Sequence, residues 1–171
     1  MKKNVINKRY RIIDKLGEGA MGAVYLAEDS LYSMRQVALK TIHKYMLNRK
    51  VIKQFRQEFE IMSRLKHPNL TGVYNFDQNQ ADLSYFISME YVKGVNLQDW
   101  LSANTLIDIQ TKLSVFVSLL RAIEFIHSRN IIHCDLKPAN ILINPADNEV
   151  KVADFGLAAF RAVHKVRPRA H

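Results

Sequence analysis

Cysteine is nearly absent from this chain of 171 residues: only Cys134 occurs, so no internal disulfide can form. Long apolar runs are missing as well. No stretch of 18 residues is both apolar and free of charge, and no membrane span is expected. Met1-Lys2-Lys3-Asn4 is basic, but no apolar segment of signal-peptide length follows it. Neither a low-complexity tract nor an internal repeat interrupts the sequence. These absences fit a cytoplasmic location, and the length suits one domain with its own core rather than two large ones.

Acidic residues are lacking at both ends. Residues 1–11 hold five Lys/Arg and residues 161–171 hold four, with no Asp or Glu in either segment. The net charge of +9 therefore belongs to the ends, because the 16 remaining Lys/Arg are balanced by 16 Asp/Glu. A folded basic face for nucleic acid is not expected. Solvated tails are the simpler reading, with a polyanion or membrane-surface contact as the alternative.

What is present reads first as strands. Tyr10–Leu16 and Ala23–Ala27 flank the turn Gly17-Glu18-Gly19-Ala20-Met21-Gly22, and Gln36–Ile42 is a third strand. Asn48–Lys66 reads as a helix, with Phe55, Phe59, Met62 and Leu65 at three- and four-residue spacing and His67-Pro68-Asn69 as its stop. Leu70–Phe76 and Leu83–Met89 read as two more strands, and Lys93-Gly94 marks a break. Between Leu113 and Ile126 only Ser114, Ser118, Arg121 and Glu124 are polar. They fall on one narrow stripe, so this helix needs burial on several sides.

Four local patterns carry chemistry. In Gly17-x-Gly19-x-x-Gly22-x-Val24, glycines let a hairpin backbone approach phosphates. A plain glycine turn is the competing reading. A dinucleotide-binding loop would lead into a helix, whereas Ala23-Val24-Tyr25-Leu26 resumes a strand, so that rival fails. In Val37-Ala38-Leu39-Lys40 a lysine among apolar strand residues either edges into water or meets an anion, and Glu58 on the following helix is available to hold it. Ile131–Asn140 brings an acid, a base and an amide into six residues. Asp135 can accept a hydroxyl proton, Lys137 can neutralise phosphoryl charge and Asn140 can ligate a divalent metal. Asp154-Phe155-Gly156 follows a strand at Val150–Ala153, and an aspartate there suits Mg²⁺ bridged to phosphate.

Together these patterns resemble the protein kinase family over residues 10–160. The Asp135-Leu136-Lys137-Pro138 run is similar to Ser/Thr kinases. The Gly-Ala-Met-Gly loop and the His67-Pro68-Asn69 turn are similar to bacterial Ser/Thr kinases of the eukaryotic type. The resemblance implies an α+β fold: a five-stranded antiparallel N-lobe with one main helix over residues 10–90, then an incomplete helical C-lobe over 91–160. Residues 1–9 and 161–171 are then basic tails.

It further implies ATP and Mg²⁺ as cofactors and transfer of the γ-phosphoryl of ATP to a Ser or Thr of a protein substrate. Asp135, Lys137, Lys40 and Glu58 are the catalytic candidates. Leu16, Gly17, Gly19, Gly22, Val24, Ala38, Lys40, Met89, Glu90, Val92 and Leu142 are the nucleotide-binding candidates, with Met89 as gatekeeper and Glu90–Val92 as hinge. Asn140 and Asp154 are the metal candidates. Met62, Val73, His133 and Phe155 match the family's stacked apolar spine.

Two departures stand against that pattern. Cys134 replaces the arginine that most of the family places before the catalytic aspartate, and a buried, unreactive thiol is expected there. After Gly156 no Ala-Pro-Glu motif follows. The resemblance thus implies a chain truncated after Asp154-Phe155-Gly156, with the apolar helix at Leu113–Ile126 left for a missing C-lobe or a partner chain to cover. A truncated active kinase, a nucleotide-binding regulatory module without transfer, and an interaction module remain as readings. Cysteine supplies no positive charge for an activating phosphate, so Cys134→Arg should make activity sensitive to phosphatase treatment; an unchanged dependence would overturn that expectation.

Overall fold

Strand Arg35–Thr41 buries Val37, Ala38 and Leu39 in succession, which requires cover on both faces of the sheet rather than one. The computed structural model, which describes residues 5–103 and 107–155 and the backbone of 159–160, supplies that cover. Val37 and Leu39 pack with Tyr10, Ala27 and Phe86 on one face. Ala38 packs on the other with Val51 and Phe55 of a helix and with Ile87 and Met89.

The strands are β1 (Val5–Ile6), β2 (Tyr10–Glu18), β3 (Ala23–Asp29), β4 (Arg35–Thr41), β5 (Val73–Gln78) and β6 (Tyr85–Glu90). They form one antiparallel sheet in the order β1-β2-β3-β4-β6-β5. The expected five strands are thus six. The added strand lies in the segment read as a basic tail, and a specific pair holds that segment. Arg9 donates two hydrogen bonds of 2.7 Å to Asp29, whose side chain is buried. A charge read as solvated is in fact the partner of a carboxylate that needs one.

Helix α1 (Arg49–Met62) starts where Asn48 accepts from the backbone N–H groups of Lys50 and Val51, both at 3.0 Å. It turns Val51, Phe55, Glu58, Ile61 and Met62 inward. The expected helix ran to Lys66. The last turn tightens instead, with Arg64 donating to Ile61 and Leu65 to Met62. The strand expected from Leu70 begins at Val73, because Thr71 N–H donates to Val152 and Val152 N–H to Asn69, at 3.0 and 2.9 Å. Those bonds tie the sheet half to the helical half.

Beyond residue 90 come β7 (Val95–Asn96), α2 (Leu97–Ala103), α3 (Ile109–His127), β8 (Ile131–Ile132), β9 (Ile141–Asn144), β10 (Glu149–Val152) and β11 (Ala159–Phe160). Strands β10, β9 and β7 form a second small sheet. Helix α3 buries Val115, Ala122 and Ile126 along one side only. Burial on several sides is not what this chain shows: Ile109, Leu113, Phe116, Val117 and Leu120 are exposed. Among the described residues no helix is long and apolar enough to cross a membrane. Gly156 and the basic segment 161–171 lie outside the described residues.

Removing Arg9 leaves buried Asp29 with the Leu31 N–H at 3.1 Å and Arg35 at 3.9 Å. Arg9→Ala should lower stability by about 1–3 kcal/mol, read as a shift of the urea midpoint at unchanged slope.

Candidate functional site

Hairpin β2–β3 brings its glycine turn over the sheet because Gly22 has no side chain. A Cβ there would sit 1.7 Å from the carbonyl oxygen of Thr41. Below the hairpin a cleft of 430 Å³ opens between the two halves. Leu16, Gly17, Val24 and Ala38 line it from the sheet, Leu142 lines it from β9, and Met89, Glu90 and Val92 line it along the connection between the halves. Lys40, Glu58, Asn140 and Asp154 line it as well. Of the nucleotide-binding candidates, Gly19 and Gly22 do not line the cleft; they shape the turn above it.

Lys40 reaches the cleft from β4. Its Nζ lies 2.6 Å from Glu58 Oε1 and 2.8 Å from Asp154 Oδ1. Burial opposes the lysine's charge, but attraction to Glu58 and Asp154 outweighs it and holds Lys40 above the ordinary lysine range. Burial pushes the Glu58 carboxyl up, and Lys40 offsets part of that rise. Glu58 faces inward because it sits on the buried stripe of α1, between Phe55 and Ile61.

A second cluster stands beside the first. Lys137 Nζ donates to Asp135 Oδ2 at 2.8 Å, and Asn140 Nδ2 donates to the Asp135 carbonyl at 2.8 Å and to its Oδ2 at 3.1 Å. The Lys137 hydrogen bond, helped by Asn140, keeps the Asp135 carboxyl below the usual range. Asp135 and Lys137 lie outside the cleft lining, and Asn140 joins them to it. Its amide nitrogen is engaged with Asp135, so the oxygen remains to accept a hydrogen bond or ligate a cation.

Two backbone turns aim these groups. Cys134 and Asp154 both adopt left-handed φ, 63° and 60°. That conformation costs roughly 1–2 kcal/mol outside glycine, and aspartate tolerates it better than cysteine does. His133 secures both turns. Its Nε2 lies 3.0 Å from the Ala153 carbonyl, Asp135 N–H donates to its Nδ1 at 3.3 Å, and its ring packs against Phe155 at a tilt of 49° with centroids 4.6 Å apart. A carbonyl accepts, so Nε2 carries the hydrogen and Nδ1 is bare, the neutral tautomer. Burial lowers the His133 pKa, against the pull of Asp154 and Asp135. Phe155 and Met62 share one buried cluster, with Val73 packed against it. The buried thiol expected at Cys134 is a correction: the residue is exposed, because the left-handed turn directs it outward while its neighbour His133 is buried.

Sequence reasoning missed several lining residues: Thr71, Gly94, Val95, Asn96, Ala139 and Ala153. It also missed Lys151. That buried ammonium pairs with Glu90 Oε1 at 2.8 Å, while Glu90 Oε2 accepts from Gly72 N–H at 3.0 Å. An alternation of charged and apolar residues at Glu149-Val150-Lys151-Val152 was the available signal, and it marks a strand without naming a partner 61 positions away.

The comparison with known proteins gives the class of this fold. The family model for the protein kinase domain matches residues 10–167, and the chain belongs to that family. Over 154 residues it is 39% identical to the serine/threonine-protein kinase PrkC of Bacillus subtilis, an alignment covering 90% of this chain and 23% of the relative. It is 36% identical to the probable serine/threonine-protein kinase PknB of Lactococcus lactis, covering 88% of this chain and 24% of that protein. The serine/threonine-protein kinase pkn3 of Myxococcus xanthus is 37% identical, with 88% and 28% covered. The chain thus spans about a quarter of the length of the curated relatives it matches.

Neutral His133 in the fold implies a definite pH sign. Its folded pKa lies below the unfolded value, so the unfolded chain binds more protons and stability falls as pH drops below about 6.5. His133→Phe keeps the ring but cannot titrate. Its melting temperature should fall less steeply on acidification than that of the unaltered chain, measured by calorimetry across that window.

Proposed function

We propose that this chain is the nucleotide-binding and catalytic-loop part of a protein kinase that transfers the γ-phosphoryl of ATP to a Ser or Thr hydroxyl of a protein. The observation that carries the reading is the convergence of Lys40, Glu58, Asn140 and Asp154 on one cleft, with Asp135 and Lys137 tied to it through Asn140. The names of the relatives support the choice of serine and threonine. A cytoplasmic location belongs to the same reading.

The apolar lining suits a planar base. Leu16, Val24, Ala38 and Leu142 enclose it, and the backbone at Glu90–Val92 offers hydrogen-bonding groups at the edge. Lys40, steadied by Glu58, meets phosphate oxygens at the inner end. The donor chemistry also fits a hard divalent cation: Asp154 presents a carboxylate and Asn140 an amide oxygen. Mg²⁺ held by those two residues would supply positive charge to the phosphate oxygens.

Asp135 orients the attacking hydroxyl. Its lowered pKa makes it a weak base, so it accepts a hydrogen bond first and takes the proton as the new O–P bond forms. Lys137 then neutralises charge on the transferring group, and ADP departs with the bond electrons. Catalysis of this kind is positioning plus electrostatics. The exposed side of α3 is, in this reading, a surface that further chain or a partner covers.

The test is transfer of label from γ-³²P-ATP to dephosphorylated casein, followed by phosphoamino-acid analysis. Label on serine or threonine is expected. Asp135→Asn should lower the rate by about 10²–10⁴-fold with an unchanged melting temperature. Incorporation no greater than that of the Asn variant would overturn the reading.

A further inference from the structure

His43 lies outside every motif described above, just beyond β4. Its backbone N–H donates to the Met21 carbonyl at 2.9 Å, and its ring Nε2 lies 3.2 Å from the Gly19 carbonyl. A carbonyl can only accept, so the ring nitrogen is the donor. The same Nε2 is 3.5 Å from Glu18 Oε1. Tyr45 stacks on the ring at 5.1 Å with the planes 13° apart. The tip of the glycine turn is thus fastened to the residue that follows β4, just where the absence of a Cβ on Gly22 lets the turn rest on Thr41.

This fastening sorts the polar groups of the tip. Gly19 N–H donates to the Gly22 carbonyl at 2.8 Å, and the carbonyls of Gly19 and Met21 are both taken by His43. Among the described residues, the N–H groups of Ala20 and Met21 have no protein partner. A trans peptide sets C=O and N–H on opposite sides, so a Gly19 carbonyl turned to His43 turns the Ala20 N–H away from it. Free donors beside occupied acceptors favour an anion.

We propose that His43 is a positioning residue: it holds the glycine turn with its amides presented to the phosphates of a bound nucleotide. The inference rests on the nucleotide reading of the cleft. The charged neighbours are few. Glu18 faces the ring and is itself paired with Lys15; Lys44 adjoins it and is paired with Asp82 at 3.5 Å. Lys15 keeps the Glu18 carboxyl below its ordinary range.

Calorimetric titrations of Mg-ATP and of adenosine into the unaltered chain, His43→Ala and His43→Gln test this. His43→Ala should weaken ATP binding roughly three- to tenfold and leave adenosine binding unchanged. His43→Gln keeps a side-chain N–H and should bind ATP like the unaltered chain. Equal ATP affinity in the Ala variant, equal losses for ATP and adenosine, or a Gln variant as weak as Ala would each overturn the latch alone. An unaltered chain that binds no ATP would overturn the nucleotide reading with it.

Discussion

One ammonium group organises the centre of this molecule. Lys40 comes from β4, Glu58 from α1 and Asp154 from the turn after β10, and the three meet within 2.8 Å. A buried charge is tolerable only with partners in place. The position of α1 against the sheet and the left-handed turn at Asp154 are therefore parts of one electrostatic requirement. Two carboxylates from different segments thus share one ammonium.

The surroundings are built so that these groups have little freedom. His133 uses both ring nitrogens and one ring face, holding the segments that carry Asp135 and Asp154 at a fixed separation. Asn140 spends its amide hydrogens on Asp135 and keeps its oxygen for the cleft. Lys151 and Glu90 perform a similar service at the far end, joining β10 to the connection between the halves. Each is a polar group that orients a neighbour rather than standing alone.

Legibility followed distance along the chain. Lys40, Asp135, Asn140 and Asp154 could be picked out because each sits in a short run whose residue types already suggest a task. The fold class and most strands were equally plain, since their signal is local alternation. What escaped depended on tertiary partners. Val5–Ile6 joins the sheet because β2 offers an edge, and Arg9 is ordered because Asp29 is buried nearby. Helix α1 ends early because its last turn tightens, and Cys134 is exposed because a left-handed turn outweighs the usual preference of a thiol for the interior. The pairing of Lys151 with Glu90 carries no sequence mark, because neither residue's neighbours identify the other.

The apolar interior disregards the boundary between sheet and helices. Ile61, Met62 and Leu65 from the end of α1 pack with Leu70, with Ala122 and Ile126 of α3, with Ile131, and with Val152 and Phe155. Residues on both sides of the cleft thus belong to a single cooperative unit. Opening the cleft strains one shared seam rather than separating two independent bodies, so small breathing motions are the inexpensive ones and wide gaping is not. Slow hydrogen exchange along α1 and along α3 should consequently rise and fall together, the signature of a hinge whose stiffness is set by packing beneath it.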